Sequence, residues 1–243
     1  MIALNRCLSA RVTIPADNPF STCFVRPENG NYRFPNGRNA YETGERLLQL
    51  LKRSGTAAII GQHGTGKSTL LQTLAEPLHQ EFDRLKWVQL TRFSDNRPAV
   101  DSVRRFLAAH RSNRYRCCLI IDGFEQLGWA ERFRLVAPTR AARFCWRSPA
   151  NRHLGPSLVV TAHRPQLGIS TFYRTGWCDE VVDAMTTDKL SELSPAERET
   201  MLQVAAQRKV TARHGQNVRD YWFMLYDEYE RLRSRDGQPG EWQ

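Results

Sequence analysis

The apolar positions of this chain fall into two alternating rhythms. Short unbroken runs have the length and continuity of strands buried on both faces. They are Thr56-Ala57-Ala58-Ile59-Ile60, Cys117-Cys118-Leu119-Ile120-Ile121 and Ser157-Leu158-Val159-Val160-Thr161. Lys86 to Thr91 and Ser170 to Arg174 are weaker strand candidates. Between these runs, apolar residues recur at helical spacing. Examples are Leu47, Leu48, Leu50 and Leu51 within 39–53, Leu70, Leu71 and Leu74 within 68–75, and Val100, Val103, Phe106 and Leu107 within 99–109. Pro77 is expected to stop the second of these helices, and residues 126–146 read as largely helical with an interruption at Pro138. Strands alternating with helices predict a parallel sheet covered on both faces, an α/β fold.

After about residue 190 the pattern becomes purely helical. Ser194 reads as a cap, Pro195 as a first helical position, and Glu197 and Glu199 as acids early in the helix. Asn217 to Arg233 reads as a second long helix, rich in Tyr, Trp and Phe. The predicted organisation is therefore an α/β domain over 39–190 and a small C-terminal helical lid over 191–236. Residues 1–38, punctuated by Pro15, Asn18-Pro19, Pro27, Asn29-Gly30 and Pro35-Asn36-Gly37, read as an extended arm. Packing of the arm on its own sheet and on a neighbour are both compatible with the sequence. Residues 237–243 read as a frayed tail.

The strand–helix junction after Ile60 carries the chemistry. It reads Gly61-Gln62-His63-Gly64-Thr65-Gly66-Lys67-Ser68-Thr69, the spacing of a phosphate-binding loop. Glycines let successive backbone N–H groups curl toward one anion, and the following helix adds its own unpaired N–H groups. In that role Lys67 reaches the β- and γ-phosphates and the Ser68 hydroxyl ligates Mg²⁺. An acid is also needed to hold the metal through water, and Asp122, at the end of the Cys117–Ile121 run, fits it.

Hydrolysis needs a group to take a proton from water or to orient it. Glu125 is the candidate, on the loop leaving the same strand. Thr161 or His163, at the tip of the next strand, is a candidate to meet the attacking water or the γ-phosphate. Arg219, early in the last helix, is a candidate to touch the γ-phosphate from the lid. Arg164 and Arg174 are candidates for an arginine given to a neighbouring subunit. For each of these the alternative is an ordinary surface or local hydrogen-bonding residue.

Composition adds limits. The 243 residues carry a formal charge of +10, and only five of the basic residues are lysines. Arginine suits phosphate recognition. The arginines are nevertheless spread along the chain, which also fits a plain basic surface. No stretch approaches the roughly 20 apolar residues that cross a bilayer, so no membrane partner is expected. The six cysteines form no CxxC pair, which points to reduced thiols, a cytoplasmic location and no zinc.

On these residues the chain resembles the P-loop NTPases of the additional-strand, catalytic-glutamate division. Cys118-Leu119-Ile120-Ile121-Asp122-Gly123-Phe124-Glu125-Gln126-Leu127 looks like the second Walker motif of STAND-type ATPases. Gly215-Gln216-Asn217-Val218-Arg219-Asp220 is similar to the sensor 2 region of AAA+ proteins. The resemblance implies a three-layer sandwich with sheet order 5-1-4-3-2 and a helical lid, over roughly residues 40–233. It also implies ATP and Mg²⁺ as cofactors, an AAA+/STAND-like ATPase or switch, homo-oligomer formation on nucleotide binding and an unidentified protein partner. Two features depart from the pattern. No winged helix or repeat array is read here, and Gly123 stands where AAA+ motors place Glu. No Asn-Lys-x-Asp guanine-reading motif is present, which favours ATP over GTP. The competing expectations are a nucleic-acid-associated ATPase of the transposition- or replication-helper kind, a small-molecule kinase, and a switch that binds without turnover.

Overall fold

The computed structural model describes residues 18–21, 32–109, 116–144, 156–215 and 217–236. Cys7, Cys23, Cys145, the tail 237–243 and the arginine-bearing segments 110–115 and 145–155 lie outside the described residues. Five strands form one parallel sheet: β1 (Thr56–Ile60), β2 (Arg84–Gln89), β3 (Cys117–Asp122), β4 (Ser157–Ala162) and β5 (Thr171–Arg174). Their spatial order is β2-β3-β4-β1-β5, the expected order read from the other edge. Every residue of β1, β3 and β4 is buried, which is why these three runs are continuously apolar. The edge strands β2 and β5 are half-exposed and mixed in composition. Strand β4 pairs with both β1 and β3, so it separates the strand leading into the glycine loop from the strand ending in Asp122.

Helices cover both faces. Asn39 caps α1 (Ala40–Ser54), its side-chain oxygen accepting from the Glu42 N–H at 2.8 Å. The glycine loop runs into α2 (Lys67–Thr73), a turn at Leu74, and α3 (Ala75–Glu81). Pro77 does not stop a helix here; it lies in the first turn of α3, where the missing N–H would have had no partner. Helix α4 (Arg97–Ala109) follows β2, and α5 (Trp129–Phe144) follows β3. Pro138 lies inside α5 without dividing it, since a single lost backbone hydrogen bond can be taken up as a bend. Alternate strand residues face opposite layers. Ala58, Ile60, Leu119, Ile121, Leu158 and Val160 pack with Val100 and Val103 of α4 and Leu135 and Val136 of α5. Ala57, Ile59, Cys118, Ile120 and Val159 pack with Leu47 and Leu51 of α1 and with Leu70, Leu71 and Leu78 of α2 and α3. The result is a three-layer sandwich.

A third core is purely helical. It is built by α6 (Asp179–Leu190), α7 (Pro195–Gly215) and α8 (Val218–Asp236), with Val182, Leu190, Met201, Ala205, Tyr221, Trp222 and Leu225 buried together. The helical part therefore begins at Asp179 rather than after 190. Helix α7 opens with a reciprocal cap. The Ser194 hydroxyl accepts from the Glu197 N–H at 3.4 Å, and the Glu197 carboxylate accepts from the Ser194 N–H at 3.1 Å.

The described part of the arm packs on its own chain. Phe20 is fully buried and stacks on Trp222 with ring centroids 5.7 Å apart. Asn18 Nδ2 donates to the Tyr226 carbonyl at 3.0 Å and to Glu230 Oε1 at 2.9 Å. Further along, Tyr32 and Phe34 pack against the second core, and Arg33 pairs with Asp188 of α6. Among the described residues, no helix is long and apolar enough to cross a membrane.

Candidate functional site

The loop after β1 meets the carboxyl ends of β3 and β4 around a cavity of about 700 Å³. His63 to Thr69 line it, with Asp122, Gly123, Glu125, Thr161, His163, Arg174 and Arg219. Lys67 Nζ donates to the carbonyls of Gly61 at 2.8 Å and Gln62 at 2.7 Å, so the loop's own backbone holds the ammonium at its mouth. Thr65 is buried beneath; its hydroxyl donates to the Gln62 carbonyl at 2.8 Å and lies 2.7 Å from the Thr175 hydroxyl. Burial lowers the Lys67 pKa from the usual lysine range. The charge of Arg219 adds to that, while Glu125 and Asp122 oppose it.

Asp122 is buried at the end of β3. The parallel register that pairs Ile121 with Val160 brings Thr161 beside it. The Thr161 hydroxyl donates to Asp122 Oδ1 at 2.5 Å and accepts from the Gly123 N–H at 2.9 Å. Its single proton is thus committed to the carboxylate, and it fixes the turn that follows.

That turn explains the departure noted in the sequence. Gly123 has φ +86°, and a β-carbon there would collide with the Leu90 carbonyl oxygen. No glutamate fits directly after Asp122. The chain instead makes one turn of 3₁₀ helix, Phe124–Gln126, which brings Glu125 to the cavity. Glu125 Oε1 lies 3.1 Å from His163 Nε2, and Oε2 is buried without a partner among the described residues. An ionised carboxylate only accepts, so neutral His163 is the donor. Burial holds the His163 pKa below the usual imidazole range, helped by Lys67 and His63 and opposed by Glu125. The rings of His63 and His163 meet with centroids 3.9 Å apart.

Arg132 is a residue that sequence reasoning missed. Its guanidinium donates to the carbonyls of Glu125 at 2.7 Å and Leu127 at 2.8 Å and to Gln166 Oε1 at 3.2 Å. It clamps the glutamate's turn from α5 through backbone contacts, which leave no motif in the sequence.

The lid reaches the loop through α8. Asn217 caps that helix, its Oδ1 accepting from the N–H groups of Arg219 at 3.0 Å and Asp220 at 3.3 Å. Gly64 has φ +70°, and a β-carbon there would overlap the same Oδ1. On the other side, Tyr32, Trp177, Met185 and Trp222 give the cavity an apolar wall. Arg164 is exposed and does not line it; its carbonyl accepts from the Gln166 amide at 2.8 Å.

No protein-family model matches the sequence, and no curated protein matches it. Solved structures with a related arrangement include C. elegans PCH-2, with TM-score 0.44 and 13% identity, covering 81% of this chain and 67% of that one. The replication initiator DnaA bound to AMPPCP and single-stranded DNA gives TM-score 0.48 and 17% identity, covering 86% and 68%. The Walker-type ATPase PABY2304 of Pyrococcus abyssi gives TM-score 0.39 and 12% identity, covering 89% and 80%. These values are too low to transfer any property. The chain's own strand order, its glycine loop after β1 and its acid at the end of β3 make it a P-loop NTPase fold, with β4 inserted between the two motif strands.

Proposed function

We propose that the chain binds Mg·ATP and hydrolyses it, as an AAA+/STAND-like ATPase or switch in which nucleotide ties the helical lid to the phosphate loop. One observation carries this reading. Lys67 and Ser68 at the start of α2, Asp122 at the end of β3 and Glu125 in the 3₁₀ turn line one cavity, where Glu125 Oε2 is a buried acceptor without a protein partner among the described residues. Such an acceptor suits a water molecule beside a substrate.

The donor set fits magnesium. Ser68 and Asp122 offer hard oxygen ligands, few in number, of the kind that binds magnesium together with substrate phosphates. The ion would be held by the Ser68 hydroxyl and, through water, by Asp122, and it supplies neutralisation of phosphate charge. Lys67 draws charge from the β- and γ-oxygens. Thr161 keeps the Asp122 carboxylate oriented. Glu125 takes the proton of the attacking water, and His163 and Arg132 hold it in place. Arg219 brings a cation from the lid. The wall of Tyr32, Trp177, Met185 and Trp222 accepts the purine ring. Arg164, exposed and outside the cavity, is free to serve a neighbouring copy; particle mass with and without a non-hydrolysable ATP analogue tests that assembly.

The direct test is titration of labelled ATP, with and without magnesium, on the wild type and on Lys67→Ala. Tighter, magnesium-dependent binding by the wild type is expected, and equal affinity in both proteins removes the assignment. Phosphate release without an added acceptor separates hydrolysis from kinase activity.

A further inference from the structure

A second concavity, of about 380 Å³, opens at the β5 edge of the sheet. Three arginines from three different elements line it: Arg38 after the turn Pro35–Gly37, Arg46 on α1, and Arg174 at the end of β5. Thr43, Thr171 and the Phe172-Tyr173 pair complete it, and no acidic residue is among its lining.

Arg33, Arg104, Arg116, Arg208, Arg213 and Arg231 all pair with carboxylates. Among the described residues, Arg38, Arg46 and Arg174 make no ion pair. Arg97, Arg105 and other described arginines also lack an ion pair; what distinguishes Arg38, Arg46 and Arg174 is that they border one hollow with no acidic residue in its lining. Like charges facing one space repel, and the arrangement is relieved when an anion enters. Guanidinium forks match phosphate oxygens two at a time. Phe172 and Tyr173, whose ring planes are tilted by 46° to each other, add aromatic rings to the lining, and bases stack on such rings. A chain of formal charge +10 also concentrates polyanions near its surface.

We propose that this β5-edge hollow is a phosphate-binding site whose natural occupant is the phosphodiester backbone of single-stranded nucleic acid. It stands apart from the ATPase reading, because Arg38 and Arg46 do not line the nucleotide cavity. Tyr173 and Arg174 line both, so occupancy of one is sensed at the wall of the other.

The test uses the full chain and a labelled single-stranded oligothymidylate, followed by fluorescence anisotropy between about 50 and 200 mM salt. Inorganic phosphate, read by thermal shift, forms a second arm. Arg38→Gln/Arg46→Gln is compared with Arg97→Gln/Arg105→Gln, which removes the same charge from exposed arginines of α4, beside the opposite sheet edge. The cavity pair is expected to weaken oligonucleotide binding at least tenfold and to flatten its salt slope by about 0.7 for each phosphate no longer neutralised. The control pair is expected to stay within about twofold, as a change in long-range charge alone. Weakening confined to the inorganic-phosphate arm overturns the nucleic-acid occupant and assigns the hollow to a free anion. Absence of binding in both arms, or equal weakening by both pairs, overturns the proposal.

Discussion

The carboxamide of Asn217 occupies the space that a β-carbon on Gly64 would need. The cap of the last helix and the phosphate loop thus meet at one point, across more than half of the chain. Gly64→Ala is expected to combine this clash with backbone strain of about 1–3 kcal/mol. Nucleotide affinity should fall by one to two decades, and amides in the first turn of α8 should exchange faster. Unchanged affinity and unchanged exchange together would show that the lid does not read the loop here.

Thr161 serves two partners, Asp122 and the Gly123 N–H. Thr161→Val keeps the shape but leaves both without it, which is expected to destabilise the fold by about 1–3 kcal/mol. Denaturant unfolding measures this, and Thr161→Ser should recover most of it. The same valine variant should need more magnesium for half-maximal nucleotide binding, because its Asp122 is no longer oriented.

Glu125→Gln should lower turnover by about 10²- to 10⁴-fold while leaving ATP affinity nearly unchanged. Its neighbour sets a pH dependence. Folding places His163 below the usual imidazole range, so the unfolded chain takes up that proton first as acid is added. The stability linked to neutral His163 is complete above the free-imidazole range and declines as pH falls below it. Melting curves from pH 7.5 to 5.5, values spanning the free imidazole range near about 6.5, should show a steeper loss for the wild type than for His163→Gln. Parallel losses would remove His163 as the cause.

Phe20 is fully buried against Trp222, a residue that also lines the cavity beside the glycine loop. Phe20→Ala is expected to cost about 3–5 kcal/mol of stability, felt mainly in the helical core. Tryptophan fluorescence during urea unfolding would report an earlier transition. A cost within the surface range of about 0.5 kcal/mol would mean that the arm does not belong to the lid's fold.

The strands and the loop were legible in the sequence because local rules specify them. Strands β1, β3 and β4 are buried on both faces, so their apolar runs are unbroken, and the phosphate loop carries a fixed spacing of glycines before Lys67. Helix α6 was hidden because Val181, Val182, Met185 and Leu190 are scattered among acids and threonines, and its packing is decided by α7 and α8. Pro77 and Pro138 misled for a related reason: proline's effect depends on where in a helix it falls, and only the finished helix defines that.

Local spacing by itself determined the sheet's strands, the anion loop and the acid at the end of β3, since each depends on residues that are neighbours along the chain. Tertiary structure alone decided that Glu125 meets His163, that Arg132 clamps their turn, that Asn217 sits on Gly64, and that Arg38, Arg46 and Arg174 share a hollow. Those meetings join side chains to backbone or to one another across long loops. Packing of whole elements sets such distances, and no residue pattern records them.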